Sequence, residues 1–191
     1  MVDGPFGSSV NTSEDYVDEG IPVVRTINIT DNGFSQNNLK FMRTEKFNLL
    51  KRHAVKPGDI LFSKVGTIGN VCILPDSIPE AILSTTGSCR ITVNESIIIP
   101  QYLVFLLRAM RSHLILLASS NVQPFLNMET IKNIKIPVPP IEEQPLYNEY
   151  SLFFSNRIDI MLKQTNQAIK KLEEYRTTII TAAVTGKIKV I

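Results

Sequence analysis

The sequence predicts an α+β fold in which a mixed, mainly antiparallel sheet precedes a long C-terminal coiled-coil helix. Short segments rich in β-branched residues, separated by turns, occur before Val93 and are typical of strands. From Glu142 to Ala182 the chain contains no Gly, and its one Pro, Pro145, falls in the first helical turn, where a missing N–H costs no hydrogen bond. At 1.5 Å per residue this stretch would form a helix of roughly 60 Å, far longer than a typical globular helix.

Strand segments are predicted on both sides of tight turns. Gly, Pro, Asn and Asp mark these turns, because they favour the backbone conformations that reverse the chain. The segments are Ile21–Ile29 before the turn Asp31–Gly33, His53–Phe62 with the turn Pro57-Gly58, Ser63–Leu74 around Gly66–Gly69, and Ala81–Val93 around Thr85–Ser88. The opening segment, Met1–Gly20, is predicted to form turns.

Helices are predicted where apolar residues recur at intervals of three and four. Pro100–Ala118 has this pattern, and Gly186 is placed to end the long helix with a left-handed turn. The remaining predictions are short helices at Thr44–Arg52 and Met128–Lys135, a loop at Ser119–Asn127 and a short edge segment at Ile136–Pro139.

The second half of the long helix carries a seven-residue pattern that is typical of a coiled-coil seam. Two series of positions, offset by three, form this seam: Ile158, Thr165, Leu172 and Ile179, and Met161, Ala168, Tyr175 and Ala182. The alternative is a helix that packs on its own domain. As a coiled coil, the seam needs a partner helix from this chain or from another copy.

Composition indicates one domain of ordinary size followed by the helix. The chain has 191 residues, of which 43% are apolar, enough for a hydrophobic core. Cys72 and Cys89 lie in no metal-type pair, and no signal peptide is recognisable, so both are expected to be reduced thiols. The apolar runs are too short to span a bilayer. We therefore expect a cytoplasmic protein.

The net charge of +2 hides a basic stretch between residues 40 and 64. Such a stretch is a candidate phosphate-facing surface, although a solvated face with ordinary lysines is the alternative. Its basic residues are Lys40, Arg43, Lys46, Lys51, Arg52, Lys56 and Lys64, against the acidic Glu45 and Asp59.

The motifs of common enzyme classes are missing from the sequence. It contains no Gly-x-Ser-x-Gly, no His-Glu-x-x-His and no phosphate-binding loop. Asp59 is a single carboxylate beside a turn, and His53 and His113 have no second ligand at metal-binding spacing. The sequence therefore predicts neither an enzyme nor a metal site.

An ordered set of short motifs covers almost the whole chain. They are Asp3-Gly4-Pro5-Phe6-Gly7-Ser8, Gly20–Arg25, Val55–Leu61, Gly66-Thr67-Ile68-Gly69-Asn70, Gln123–Asn127, Ile136–Gln144 with its Pro-Pro-Ile-Glu-Glu-Gln, and Glu174-Tyr175-Arg176 through Ala183–Lys187. With these motifs the chain resembles one half of the DNA-specificity subunit of type I restriction–modification enzymes. The resemblance implies a target recognition domain at 1–138, which reads one half-site of DNA, and a dimerisation and spacer helix at 139–191.

The resemblance also implies the partners. Full specificity subunits carry two such units, and their helices pair antiparallel and set the gap between two half-sites. The subunit is not catalytic: it brings adenine methyltransferase and restriction subunits to double-stranded DNA, and S-adenosylmethionine is expected on the methyltransferase.

Two departures from the family follow from the comparison of motifs. With one unit, the second helix must come from another copy, as a homodimer, or from another specificity chain. The recognition domain is also expected to be N-terminally incomplete, and a lost first strand would leave a sheet edge unpaired.

DNA reading requires cations for the phosphates and polar groups for the base edges. The candidates for phosphate contacts are Lys40, Arg43, Lys46, Lys51, Arg52 and Lys64, and those for base contacts are Thr67, Thr85, Thr86, Arg90, Ser120, Asn121 and Gln123. Arg25 is a further candidate DNA-binding residue. Two alternatives remain: a helical protein-interaction adaptor without DNA contact, as in a truncated or silent specificity cassette, and an antitoxin-like regulator that binds DNA alone.

Overall fold

The computed structural model describes residues 1–119 and 123–188 and has the expected α+β architecture. In chain order the elements are β1 Val2–Asp3, α1 Thr12–Asp15, β2 Tyr16–Val17, β3 Ile21–Val24, β4 Ile29–Thr30, β5 Gly33–Phe34, β6 Lys40–Met42, α2 Thr44–Leu49, β7 Ala54–Val55, β8 Ile60–Ser63, β9 Val71–Ile73, β10 Ala81–Leu83, β11 Ser88–Ile91, α3 Pro100–Ala109, α4 Arg111–Leu116, α5 Met128–Lys132 and α6 Gln144–Val184. Short 3-10 turns occupy Gly7–Ser9, Thr26–Asn28 and Lys51–His53.

The strands form two sheets and a separate hairpin, β4–β5. The four-stranded sheet has the order β1-β11-β8-β9 and is antiparallel throughout. The five-stranded sheet has the order β2-β6-β3-β10-β7, and only its β3–β10 pair is parallel. The mixed, mainly antiparallel arrangement confirms the fold class predicted from the sequence. Consecutive strands β10 and β11 lie in different sheets, so the chain crosses between the sheets at Thr85–Gly87, which we call the crossover loop.

Helix α3 covers the four-stranded sheet with the apolar stripe that its spacing predicts. Its buried residues Tyr102, Leu103 and Leu107 pack in one cluster with the fully buried Ile60 and Phe62 of β8. Arg108 lies off the stripe and donates a hydrogen bond to the Val71 carbonyl oxygen (3.1 Å). A smaller cluster joins Phe47 of α2 to strand residues of the five-stranded sheet.

Several predicted elements differ from the observed ones. The opening segment contains β1, which pairs with β11 although its sequence is rich in turn-forming residues. The predicted strand Ile21–Ile29 is interrupted by the turn at Thr26–Asn28, where the Asn28 side chain accepts a hydrogen bond from the Arg25 N–H (3.1 Å). The predicted helix Pro100–Ala118 is two helices separated at Met110. Residues 136–139 form no strand, since proline supplies no N–H for a ladder.

Helix α6 spans 41 residues, Gln144–Val184, close to the predicted Glu142–Ala182. Gly186 adopts a left-handed conformation (φ 69°) and the Lys187 N–H bonds the Ala182 carbonyl oxygen (2.8 Å), which confirms the predicted stop. The chain divides into compact units at Met1–Asn148 and Glu149–Ile191. The boundary that the sequence suggests, between residues 138 and 139, stays a prediction. Among the described helices, none combines the length and apolar character needed to cross a membrane.

The first residue of α6 is fixed by a buried side chain. Gln144 is fully buried, and its Nε2 donates to the carbonyl oxygens of Ile97 (2.8 Å) and Pro139 (3.0 Å). Its Oε1 accepts from the Ile99 N–H (2.8 Å). One side chain therefore satisfies three backbone groups in the segments before α3 and before α6.

Candidate nucleic-acid interface

The crossover loop is held by backbone hydrogen bonds from neighbouring segments. Gly87 accepts from the Lys64 N–H at the end of β8 (2.8 Å), and Ser88 accepts from the Gly4 N–H (3.1 Å). On the other side of the loop, the Ser84 N–H donates to Val24 of β3 (2.9 Å). Both sheets and the opening segment therefore meet at this loop, with Thr85 exposed and Thr86 half-buried.

Gly4 brings the opening segment unusually close to the crossover loop. A Cβ atom at this position would lie 1.9 Å from the Thr85 carbonyl oxygen, so any larger residue would force the two segments apart. Two residues later Phe6 projects into solvent, with 75% of its surface exposed. The close approach at Gly4 thus places an exposed aromatic ring beside the loop.

The segment around Phe125 is attached to the turn that follows β8. Val65 and Phe125 form an antiparallel bridge, and the Leu126 N–H donates to the Lys64 carbonyl oxygen (2.9 Å). Asn127 then caps α5, because its Oδ1 accepts from the Glu129 N–H (2.6 Å). These contacts bring residues 123–127 to the sheet face that carries Lys64.

Two clefts flank the crossover loop. The first, of about 450 Å³ and called the Phe6 cleft, is lined by Phe6, Lys64, Thr86, Gln123, Phe125 and Asn127 among others. The second, of about 880 Å³ and called the Lys40 cleft, is lined by Thr12, Tyr16, Asp18, Arg25, Lys40 and Thr85 among others. Thr86 faces the first cleft and Thr85 the second, so the loop forms the wall between them.

The clefts bring together six of the residues predicted to bind DNA. Those in the Phe6 cleft are Lys64, Thr86 and Gln123, and those in the Lys40 cleft are Arg25, Lys40 and Thr85. They come from positions nearly one hundred residues apart and from five different segments of the chain. Ser120 and Asn121 lie outside the described residues.

Other predicted residues lie elsewhere in the domain. Thr67 is exposed in the turn between β8 and β9, where its hydroxyl bonds Ser63 Oγ (3.0 Å). Arg90 donates to the Ala54 carbonyl oxygen, and its guanidinium lies 4.0 Å from a carboxylate oxygen of Asp59. Arg43 is exposed immediately before α2.

Two of the predicted cations are engaged in ion pairs. Lys46 Nζ lies 3.1 Å from Asp15 Oδ2. Burial acts to raise the pKa of Asp15, but the hydrogen bond from the Asn11 N–H and the nearby Lys46 ammonium together leave that pKa below its usual value. Lys64 is 5% exposed and pairs with Asp3, so much of its charge is already neutralised within the domain.

Lys51 and Arg52, in contrast, are exposed on a 3-10 turn. The next residue, His53, donates from Nδ1 to the Asp3 carbonyl oxygen (2.6 Å), which attaches this basic turn to β1. Asp3 also lines the Phe6 cleft, so these two exposed cations lie on a turn that is hydrogen-bonded to a residue of that cleft.

The cysteines have no evident reactive role. Both are free and buried, and desolvation raises the pKa of each thiol to about 12, so both are protonated at neutral pH. Within residues 1–119 and 123–188, no group of His, Cys, Asp and Glu is arranged to hold a metal ion. Asp59 caps a turn by accepting from the Lys56 N–H (2.9 Å).

Comparison with known protein families identifies the family of the chain. The model of the type I restriction modification DNA specificity domain matches residues 6–174, which is most of the sequence. The chain belongs to this family.

Individual DNA specificity relatives agree with the match. The specificity subunit of the type I restriction enzyme EcoBI from Escherichia coli is 28% identical over 177 residues, which cover 91% of this chain and 37% of the relative. The specificity subunit of the type I restriction enzyme MjaVIII from Methanocaldococcus jannaschii is 27% identical over 196 residues, covering 100% of this chain and 45% of the relative. The chain therefore spans less than half the length of these specificity subunits.

Solved structures share the fold. A chain from a structure described as the basis of complex assembly and conformational transition of the type I R-M system gives a TM-score of 0.70 at 17% identity, over 95% of this chain and 42% of that one. The HsdS subunit from Thermoanaerobacter tengcongensis gives a TM-score of 0.62 at 16% identity, over 98% and 42% of the two chains.

The most prominent cleft residues of this DNA specificity chain were missed by sequence reasoning. Phe6 and Phe125 are exposed aromatic rings that line the same cleft. A signal was present, because each follows a proline in a turn-rich segment without helical or strand periodicity, where a core role is unexpected. Their common location depends on the crossover loop and could not be read from spacing.

In this DNA specificity chain the predicted seam residues lie on one face of α6 and are exposed, apart from the half-buried Ala182. Leu162 and Ile169, each one position after a seam residue, are exposed as well. The apolar stripe is therefore wider than the two seam series alone. Seam pairing with a second helix stays a prediction.

Proposed function

We propose that this chain is a non-catalytic, sequence-reading unit of a type I restriction–modification specificity subunit, which binds one half-site of double-stranded DNA. The observation that carries the proposal is the convergence of six predicted DNA-binding residues on the two clefts at the crossover loop, in a chain of the DNA specificity family. In this proposal Thr85, Thr86 and Gln123 read base edges, where hydroxyl and amide groups supply donors and acceptors.

The phosphate contacts are proposed for the exposed cations. Lys40 borders its cleft, and Lys51 and Arg52 lie on the basic turn beside β1. Arg43 is a further exposed candidate. For Lys64 the ion pair with Asp3 favours a role in holding the cleft floor, because a cation that is already paired and buried gains less from a phosphate.

The test is a binding titration of the full chain against duplex DNA at several salt concentrations. A DNA-reading unit releases counterions when it binds, so its affinity should fall steeply from about 50 to 200 mM salt. Competition with random duplex should also select a preferred sequence. An adaptor without DNA contact would show neither effect, and that result would reject the proposal.

We further propose that α6 pairs with a second copy, or with another specificity chain, through the seam. The exposed apolar stripe supports pairing, since such a stripe in water is unfavourable without a partner. The heptad segment Ile158–Ala182 is roughly 37 Å long at 1.5 Å per residue, close to one turn of B-DNA. Antiparallel pairing would then give a split target, and the two half-sites would be related by symmetry if the partner is a second copy of this chain.

The partners proposed from the family are an adenine methyltransferase subunit, which would carry S-adenosylmethionine, and a restriction subunit, in the cytoplasm. The extra apolar positions at Leu162 and Ile169 support a helix bundle with more than two members. Co-purification of the chain with a methyltransferase subunit from the same genome tests this assignment, and binding of DNA in the absence of any such association would favour a stand-alone regulator.

A further inference from the structure

The lining of the Phe6 cleft differs from that of a phosphate-binding site. Among the described residues that line it, the charged side chains are Lys64 and Asp3, and these two form an ion pair. Phosphate contacts in DNA complexes come mostly from free cations and exposed N–H groups. A cleft whose two charged groups pair with each other and whose lining includes two aromatic rings is poorly suited to a phosphate and better suited to the edge of a base.

The uncharged groups of the cleft also favour the edge of a base. Thr86 and Gln123 offer hydroxyl and amide groups, while Phe6 and Phe125 offer apolar surface. In the major groove, thymine is the base whose edge combines a hydrogen-bond acceptor with an apolar group, its 5-methyl. The mixed lining of the cleft matches that combination.

Phe6 is the ring best placed to reach such a methyl group. It is 75% exposed, whereas Phe125 is 42% exposed. The backbone around it is held on both sides: Gly4 packs against the Thr85 carbonyl, and the Phe6 carbonyl oxygen accepts from the Ser9 N–H (2.8 Å). A segment whose backbone is already held loses less conformational freedom on binding.

We propose that the Phe6 cleft is a thymine-reading subsite, in which Phe6 contacts the 5-methyl group and Thr86 or Gln123 bonds the base edge. The inference rests on the proposed DNA-binding function and makes it more specific. It assigns Phe6 as a specificity-determining residue of a unit whose other contacts are hydrogen bonds and cations.

The experiment removes the methyl group without changing base pairing. After the preferred duplex has been selected from random DNA, each thymine of the half-site is replaced in turn by uracil. One replacement should weaken binding by the wild-type chain about fourfold, the equivalent of one methyl-sized apolar group left in water. Phe6→Ala should bind the thymine duplex about as weakly as wild type binds the uracil duplex, and should not distinguish the two.

A control of the same residue type is Phe153→Ala, which removes an aromatic ring that is 55% exposed on α6 and should keep the full preference for thymine. Urea unfolding of both variants confirms that they are folded. The inference is overturned if wild type binds a selected sequence but no uracil replacement changes its affinity, or if Phe6→Ala keeps the preference. Absence of any sequence-selective binding by wild type would instead reject the proposed function as well.

Discussion

The compact unit Met1–Asn148, here called the domain, and the second half of α6 differ in where their apolar side chains lie. The domain buries three clusters, and side chains such as Phe62, Leu83 and Leu114 are fully buried. Between Glu149 and Ile188 none of the described side chains is buried, although Ile158 and Leu172 are large and apolar. Burial of apolar area is the main favourable term in folding. The domain therefore carries its own source of stability, whereas the second half of the helix leaves its apolar side chains exposed.

The largest effect should come from charges placed in the predicted seam. Leu172→Asp combined with Ile179→Asp should convert an associated species into a monomer, measured by light scattering. In a dimer four apolar side chains would be lost from the interface, at about 1.5 kcal/mol or more each, and the new carboxylates would resist desolvation.

The control for the seam places two aspartates seven residues apart on the opposite face, as Lys170→Asp with Thr177→Asp, which changes the net charge by −3 against −2 for the seam variant. This variant should keep the mass of the wild-type chain. If the seam variant also keeps that mass, the seam residues do not form the contact, and the comparison between the two regions needs another explanation for the exposed apolar stripe.

A smaller effect is expected at the start of α6, which belongs to the compact domain unit. Gln144→Leu should destabilise the chain by about 3 kcal/mol, because the N–H of Ile99 and the carbonyls of Ile97 and Pro139 lose their partner in a buried site. Urea unfolding measures this change. Gln167→Leu, on the exposed face of the same helix, should stay within about 0.5 kcal/mol of wild type.

How much of this contrast the sequence can predict depends on the range of the interactions. The long helix, its Gly186 stop and the hairpin around Gly66–Gly69 follow from local signals such as capping, turn residues and seven-residue spacing. The crossing from β10 to β11 between sheets has no local signal. It is set by which strands pair, and strand pairing here joins residues far apart in the chain.

Long-range contacts also explain why the candidate site could be predicted only in part. Thr85 and Thr86 were recognisable as loop residues, but the pairing of Lys64 with Asp3 joins positions 61 residues apart. Composition counts Lys64 as one of several lysines in a basic stretch and cannot distinguish a buried, paired cation from an exposed one. The structure separates them: Lys51 and Arg52 are exposed, while Lys46 and Lys64 have carboxylate partners.

The close approach at the crossover loop predicts a further loss of stability within the domain. Gly4→Ala should cost about 2 kcal/mol, since the added Cβ would overlap the Thr85 carbonyl and force the backbone to shift. Gly7→Ala is the control, because a Cβ at Gly7 meets no atom within 4 Å. Equal unfolding midpoints for the two variants in urea would mean that the opening segment adjusts without cost.

The smallest expected effect is on the salt dependence of DNA binding, which should change when cations of the domain are removed and not when cations of α6 are removed. Lys51→Ala with Arg52→Ala should weaken binding to all sequences alike and reduce the slope of log affinity against log salt by about two, one per lost phosphate contact. Lys170→Ala with Lys171→Ala removes the same charge from α6 and should leave the slope unchanged if only the domain contacts DNA. Lys46→Ala should reduce the slope less than the loss of Lys51 or of Arg52 does, because Lys46 is already paired with Asp15. A changed base preference with an unchanged slope would reassign Lys51 and Arg52 to base reading, and an effect of the helix variant as large as that of the domain variant would mean that the DNA follows the helix too.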